Sequence, residues 1–202
     1  MSRGAFRASP RFIAFDGQSL NLLPVGYRYP TRLMQTHFPT IPYENAKIAI
    51  GSVSWTDLAK SASTRLHQYA NSGLYSVLIG CGGQSDLTDE NDSGATLYAN
   101  EVAYAQAARA AGFDYIIWTT IVPSTTYTVA QNTARLDHNT LLLADASAAF
   151  DAKVDLANVT GLNNASGTDY SDGLHWSNAG VDKVVTAMSP AVAAIPGFPP
   201  AV

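Results

Sequence analysis

The sequence predicts a three-layer α/β/α sandwich built on a mostly parallel five-stranded sheet. Three observations predict it. Short apolar runs of strand length alternate with longer segments of helical character. Most of these runs stop at glycine or proline, as strands in the core of a sheet do. The chain has 202 residues, 47% hydrophobic and only 14% charged, which suffices for one well-buried core and argues against disorder.

Taken in order, residues 1–10 read as a flexible lead-in, 11–190 as one domain and 191–202 as a proline-rich tail. The first strand, 12–15, ends in Asp16-Gly17-Gln18-Ser19-Leu20, a turn that carries a serine. A loop and a short helix near 31–36 follow, closed by Pro39 and Pro42. The second half of 43–52 is a strand that ends at Gly51. Ser54, with Asp57 three residues on, caps a helix running to about Tyr69. Residues 75–80 form the third strand and lead into Cys81-Gly82-Gly83-Gln84-Ser85-Asp86. The alanine-rich stretch 95–111 is the clearest helix, stopped by Gly112. Strand four spans 113–122 and ends at Pro123, a helix covers 133–150, and strand five covers 152–156. A long polar loop then leads to Asp172-Gly173-Leu174-His175 and a last helix over roughly 179–188.

Composition excludes several functions. The net charge of −4 and the lack of a Lys/Arg cluster speak against binding a nucleic-acid backbone or an anionic membrane. No apolar stretch is long enough to span a bilayer, and the first residues, MSRGAFRASP, show no hydrophobic signal core. The single cysteine, Cys81, excludes an internal disulfide and reads as a small buried thiol. No His/Cys spacing suits a metal site. The glycine run at 82–83 lacks the lysine of a phosphate loop, and Asp86, Asp89, Glu90 and Asp92 do not follow a calcium-loop pattern. No cofactor is implied.

What remains is a set of polar groups at predicted strand ends. In a parallel sheet the loops after the strands share one edge. Ser19, Gly51, the 82–86 run and the 172–175 turn are therefore candidates to converge. Ester hydrolysis needs a base to take the serine proton, an acid to orient that base, and donors for the oxyanion. His175 is the one histidine in a polar loop near the last helix. Asp172 lies three residues before it, with Gly173 permitting a tight turn between them. The backbone N–H groups of Ser19 and Gly51 suit the oxyanion. Each feature also has an ordinary structural reading: a helix cap for Ser19, a strand terminator for Gly51, a turn for 172–175.

These blocks resemble the SGNH/GDSL hydrolase family. In that family the first strand is followed by Gly-Asp-Ser. Here the residues are Gly17-Gln18-Ser19, a variant similar to carbohydrate acetylesterase and sialate O-acetylesterase branches. The second block is matched by Ala49-Ile50-Gly51-Ser52 with Asn45 upstream, and the last by Asp172 and His175 followed by Asn178-Ala179-Gly180. The resemblance covers residues 12–180. It implies a flavodoxin-like fold, Ser19 as nucleophile, His175 as base, Asp172 as its acid, and Ser19 and Gly51 as oxyanion donors. The third block departs from the family pattern Gly-x-Asn-Asp: this chain has Gly83-Gln84-Ser85-Asp86, leaving the third donor open between Gln84, Ser85 and a backbone N–H.

The substrate expectation is a small, acetyl-type ester on a carbohydrate, with Gln18, Trp55, Tyr127 and Trp176, and beside them Tyr27, Tyr29 and Tyr170, as amide and aromatic groups near the active edge. A broad short-chain esterase or thioesterase, and a noncatalytic carbohydrate-binding or structural domain that keeps the fold, are the competing readings.

Overall fold

The computed structural model describes residues 11–22, 26–37, 43–70 and 74–197. The predicted lead-in at 1–10 and the last five residues of the predicted tail lie outside them. Five strands, β1 (Arg11–Gly17), β2 (Tyr43–Lys47), β3 (Tyr75–Cys81), β4 (Tyr115–Thr119) and β5 (Ala152–Val154), form one sheet in the order β2-β1-β3-β4-β5. Every pairing among them is parallel. Among the described residues five α-helices accompany the sheet: α1 (Tyr29–His37), α2 (Trp55–Ala70), α3 (Gly94–Ala111), α4 (Val129–Leu143) and α5 (Asn178–Ala193).

Strand order and handedness fix the layers. The chain moves one way from β1 to β2, then back past β1 to β3, β4 and β5. Right-handed crossovers therefore put α1 on one face and the helices of the return path on the other. The core divides accordingly. Ile13, Phe15, Val77, Ile79, Ile117 and Val154 point toward Tyr29, Leu33 and Met34 of α1 and Val181, Val184, Val185 and Met188 of α5. The alternate residues Phe12, Ala14, Leu78, Ile116 and Trp118 meet Trp55, Leu58, Ala62 and Leu66 of α2 and Leu97, Tyr104 and Ala108 of α3. Both faces are covered, so the central strands β1, β3 and β4 carry near-continuous apolar runs.

β4 and β5 are shorter than expected, and three other elements differ in position or extent. β2 ends where the predicted strand begins. Beyond Lys47 the chain keeps only two bonds to β1, from Ile48 N–H to the Phe15 carbonyl (2.9 Å) and from Ile50 N–H to the Gly17 carbonyl (3.0 Å), while Ile50 turns outward. α4 starts four residues early because Thr128 and Gln131 form a reciprocal capping box, and it stops at Leu143 rather than 150. α5 runs through the domain boundary expected at residue 190.

The adjoining ends of β1 and β3 matter most for the site. Order reverses between β1 and β3, and the crevice outside the carboxyl ends of strands at such a reversal is where open α/β sheets bind ligands.

Candidate active site

β1 delivers the loop that carries Ser19. Gly17 sits at φ +122°, a conformation unfavourable to other residues, and a Cβ there would lie 2.0 Å from the Cys81 carbonyl oxygen. The chain thus bends across the end of β3. Asn21 holds the bend: its Nδ2 donates to the carbonyls of Cys81 (2.8 Å) and Asp16 (3.1 Å), and its Oδ1 accepts from the Tyr29 hydroxyl (2.6 Å). Ser19 opens a single 3₁₀ turn, Ser19–Asn21. The first N–H groups of a helical turn have no partner inside it, and that of Ser19 has no acceptor among the described residues.

The side chain of Ser19 meets His175. Ser19 Oγ lies 2.9 Å from His175 Nε2, and His175 Nδ1 lies 2.7 Å from Asp172 Oδ2. A carboxylate only accepts, so Nδ1 carries the proton and Nε2 turns its lone pair to the serine hydroxyl. The Asp172 carboxylate is itself held by its turn. Its Oδ1 accepts the N–H groups of Leu174 (3.0 Å) and His175 (2.7 Å). Partial burial pushes the carboxyl upward, but the bonds from the His175 ring and from these two N–H groups outweigh it and hold Asp172 below its ordinary value. Ser171 closes the turn by donating to the His175 carbonyl from its N–H (2.8 Å), and Ser177 caps the helix that follows.

The loop after β3 is tied to the Ser19 loop through Gln18. Expected to face substrate, Gln18 is 1% exposed. Its Oε1 accepts the N–H groups of Gln84 (2.9 Å) and Ser85 (3.2 Å), and its Nε2 donates to Asp86 Oδ2 (3.1 Å). Both the oxygen and the nitrogen of the amide are engaged by protein, so Gln18 is a strut between the two loops. By contrast, the side-chain amide of Gln84 is buried with neither its nitrogen nor its oxygen hydrogen-bonded. Ser85 is also buried. Gly51 is exposed in the turn after β2, and a Cβ there would touch nothing within 4 Å. Its N–H, like that of Ser19, has no acceptor among the described residues.

The expected aromatic face is largely absent. Trp55 is fully buried against Trp118 and Tyr104. Trp176 packs edge-on against Tyr29, also buried, and Tyr170 is buried with its hydroxyl on the Leu162 carbonyl (2.5 Å). Tyr27 is half-buried and bonded to Asp182, and Tyr127 is half-buried with its hydroxyl enclosed. The side chain of Asn45 lies outside the described residues. Among those described, no group of His, Cys, Asp and Glu is placed to hold a metal ion, and no helix is long and apolar enough to cross a membrane. Cys81 is free and buried, and burial pushes its thiol up to about 12.

Asp86 gives the site a pH dependence in stability. Burial pushes its carboxyl from 3.8 to about 7, against the pull of backbone donors that include Thr56 N–H (3.2 Å), while the charge of Glu101 adds to the rise. A carboxyl raised in the folded state favours folding when protonated. Its contribution is fully present below about pH 4 and is lost as pH rises to about 7. Urea unfolding from pH 4 to 8 should therefore show Asp86→Asn with a shallower fall in stability across this window than wild type. Equal slopes would remove Asp86 as the cause.

No family model matches the chain, and no curated protein does. Solved structures do match. A lipolytic G-D-S-L family protein from Veillonella parvula superposes with a TM-score of 0.70 at 10% identity, over 93% of this chain and 100% of that one. An acetylxylan esterase from Geobacillus stearothermophilus gives 0.68 at 16% identity, over 93% and 94%. A carbohydrate esterase family 3 protein from Talaromyces cellulolyticus gives 0.61 at 11%, over 91% and 96%. At such identities the likeness is one of fold, and the chain has the three-layer, parallel five-stranded topology of the SGNH/GDSL hydrolases.

Proposed function

We propose that this protein is a serine esterase that removes small acyl groups, foremost acetyl, from a carbohydrate. The observation that carries the reading is the unbroken line of hydrogen bonds Ser19–His175–Asp172 at the switch point of the sheet. His175 Nε2 takes the serine proton as Ser19 Oγ attacks the ester carbonyl. Asp172 holds the ring and stabilises the imidazolium that forms. The same nitrogen then protonates the leaving sugar oxygen, and water attacks the acyl-serine by the reverse sequence.

The two free N–H groups, of Ser19 and Gly51, supply donors for the oxyanion. Glycine at 51 is demanded neither by packing nor by a left-handed backbone, which accords with room kept for a ligand rather than for protein. Between the two candidates for a third donor, the unpartnered amide favours Gln84. Gln84→Ala should then lower kcat by about 10²-fold with KM little changed, as expected for a donor used mainly in the transition state. Ser85→Ala should stay within about threefold of wild type. The reverse order would transfer the role to Ser85.

The carbohydrate is supported by the acetylxylan esterase among the structures of like fold. A broader short-chain esterase or thioesterase is the second reading. It is favoured by the burial of Trp55, Trp176, Tyr29 and Tyr170, which removes most stacking faces for a sugar, and by exposed Ile50 beside Gly51. Turnover of p-nitrophenyl acetate, butyrate and octanoate beside an acetylated oligosaccharide separates the two. Preference for the acetylated sugar supports deacetylation, and preference for octanoate sinks it. No turnover of any substrate, with Ser19→Ala indistinguishable from wild type, would leave a noncatalytic domain.

A further inference from the structure

The turn that carries Asp172 and His175 is gripped from outside by the loop between β4 and α4. Gly173, at its apex, has φ +79°, and its carbonyl accepts two bonds from that loop: Ser124 Oγ at 2.9 Å and Thr125 N–H at 3.0 Å. Thr125 also fills the space over Gly173, where a Cβ would lie 2.0 Å from Thr125 Oγ1.

The Ser124 hydroxyl has one donor and two acceptor positions, and all three are committed. A carbonyl can only accept, so the hydroxyl proton goes to Gly173. Thr126 then fills the lone pairs from its N–H (3.1 Å) and its hydroxyl (2.9 Å). The direction of every bond in the clamp is therefore determined.

The loop behind the clamp is fixed as well. The Ile121 N–H donates to Asn139 Oδ1 (2.8 Å), and the Ile121 carbonyl accepts from Asn139 Nδ2 (2.9 Å) and Arg135 Nη1 (3.2 Å). Thr120 N–H is bonded to the Val154 carbonyl (3.0 Å), and Thr120 Oγ1 to Asp155 (3.1 Å). The clamp is thus referenced to β4, β5 and α4. The bonds inside the 171–175 turn fix its shape, while the clamp fixes its angle to the sheet.

We infer that Ser124 is a positioning residue, which sets the reach of His175 to Ser19 by holding Gly173. The inference rests on the proposed roles of Ser19 and His175. A misplacement of about 1 Å in a reacting group can cost about 10²-fold in rate. Ser124→Ala removes one of the two bonds to Gly173 and should lower kcat about tenfold with KM within about twofold of wild type. Ser124→Thr keeps the hydroxyl and should restore most of the rate.

The experiment measures kcat and KM on p-nitrophenyl acetate and the rate of Ser19 labelling by an aryl phosphonate, with the melting temperature as a check on folding. A parallel fall in kcat and labelling for Ser124→Ala, recovered in Ser124→Thr, supports the inference. Should Ser124→Ala not fold, Thr126→Val tests the same clamp from the solvent side, with a smaller fall of the same kind expected. Unchanged kcat and labelling in a folded variant overturn the inference and leave the esterase reading intact. Wild-type protein that neither turns over nor labels overturns the esterase reading itself.

Discussion

His175→Ala should lower kcat on p-nitrophenyl acetate by about 10⁴-fold, with Ser19→Ala about as severe and the double variant little worse than either. The non-additivity is the informative part. Ser19 Oγ and His175 Nε2 share one hydrogen bond, and in the proposed mechanism each side chain serves the reaction only through the other. Once one is removed, the second has nothing left to do, and the residual rate comes from the oxyanion donors and binding. Single-turnover kinetics of the three variants measure this. A loss below about tenfold in His175→Ala would mean that another group accepts the proton.

The second large effect lies behind the site. Asp16 is fully buried one residue before the Gly17 bend. Arg65 of α2 meets it with both terminal nitrogens, Nη1 to Oδ2 and Nη2 to Oδ1, each at 2.7 Å. Nη2 also donates to the Ile48 carbonyl, and the Tyr104 hydroxyl donates to Asp16. Arg65→Ala would strand a carboxylate in the core with only the Tyr104 hydroxyl and the Gly17 N–H (2.8 Å) as donors. Removing one partner of a buried pair costs about 3–5 kcal/mol, a large part of the stability of a domain this size. Urea unfolding should show a loss in that range. Arg65→Lys should recover part of it, because a point charge cannot reproduce the two-pronged contact. A loss under about 1 kcal/mol would show that Tyr104 and Gly17 suffice. Activity should fall with stability here, since Asp16 anchors the bend that presents Ser19.

How far the sequence could be read varies from residue to residue. The alternation of apolar runs and helices was enough for the layers and the sheet, because both faces of a parallel sheet are buried and the central strands β1, β3 and β4 announce themselves as apolar runs, whereas the edge strand β2 (Tyr43–Lys47) does not. The pairing of Asp172 with His175 was legible because it is local, a carboxylate and a ring three residues apart around a glycine. Trp55 was misplaced at the substrate face although its pattern was available: Trp55, Leu58, Ala62 and Leu66 recur at helical spacing and form the buried stripe of α2. The capping box at Thr128 and Gln131 was equally available and marks the true start of α4. Gln18 is different. Its role depends on β1 and β3 being neighbours, which strand order decides and no local pattern encodes. Ser124 likewise is one polar residue in a polar loop until the Gly173 carbonyl is placed beside it.

Ser19 and His175 are 156 positions apart in the chain. One rides on the first strand and the other on the turn before the last helix, so the contact closes a loop that encloses all four of the other strands and four of the helices. Contacts of such separation carry a large chain-closure entropy and depend on the intervening structure to offset it. Secondary structure, or even the β1–β3–β4 core, can be in place while Ser19 still lacks its contact with His175. Recovery of the proposed esterolysis during refolding is thus expected to time the closing of this contact, distinct from the recovery of helical signal.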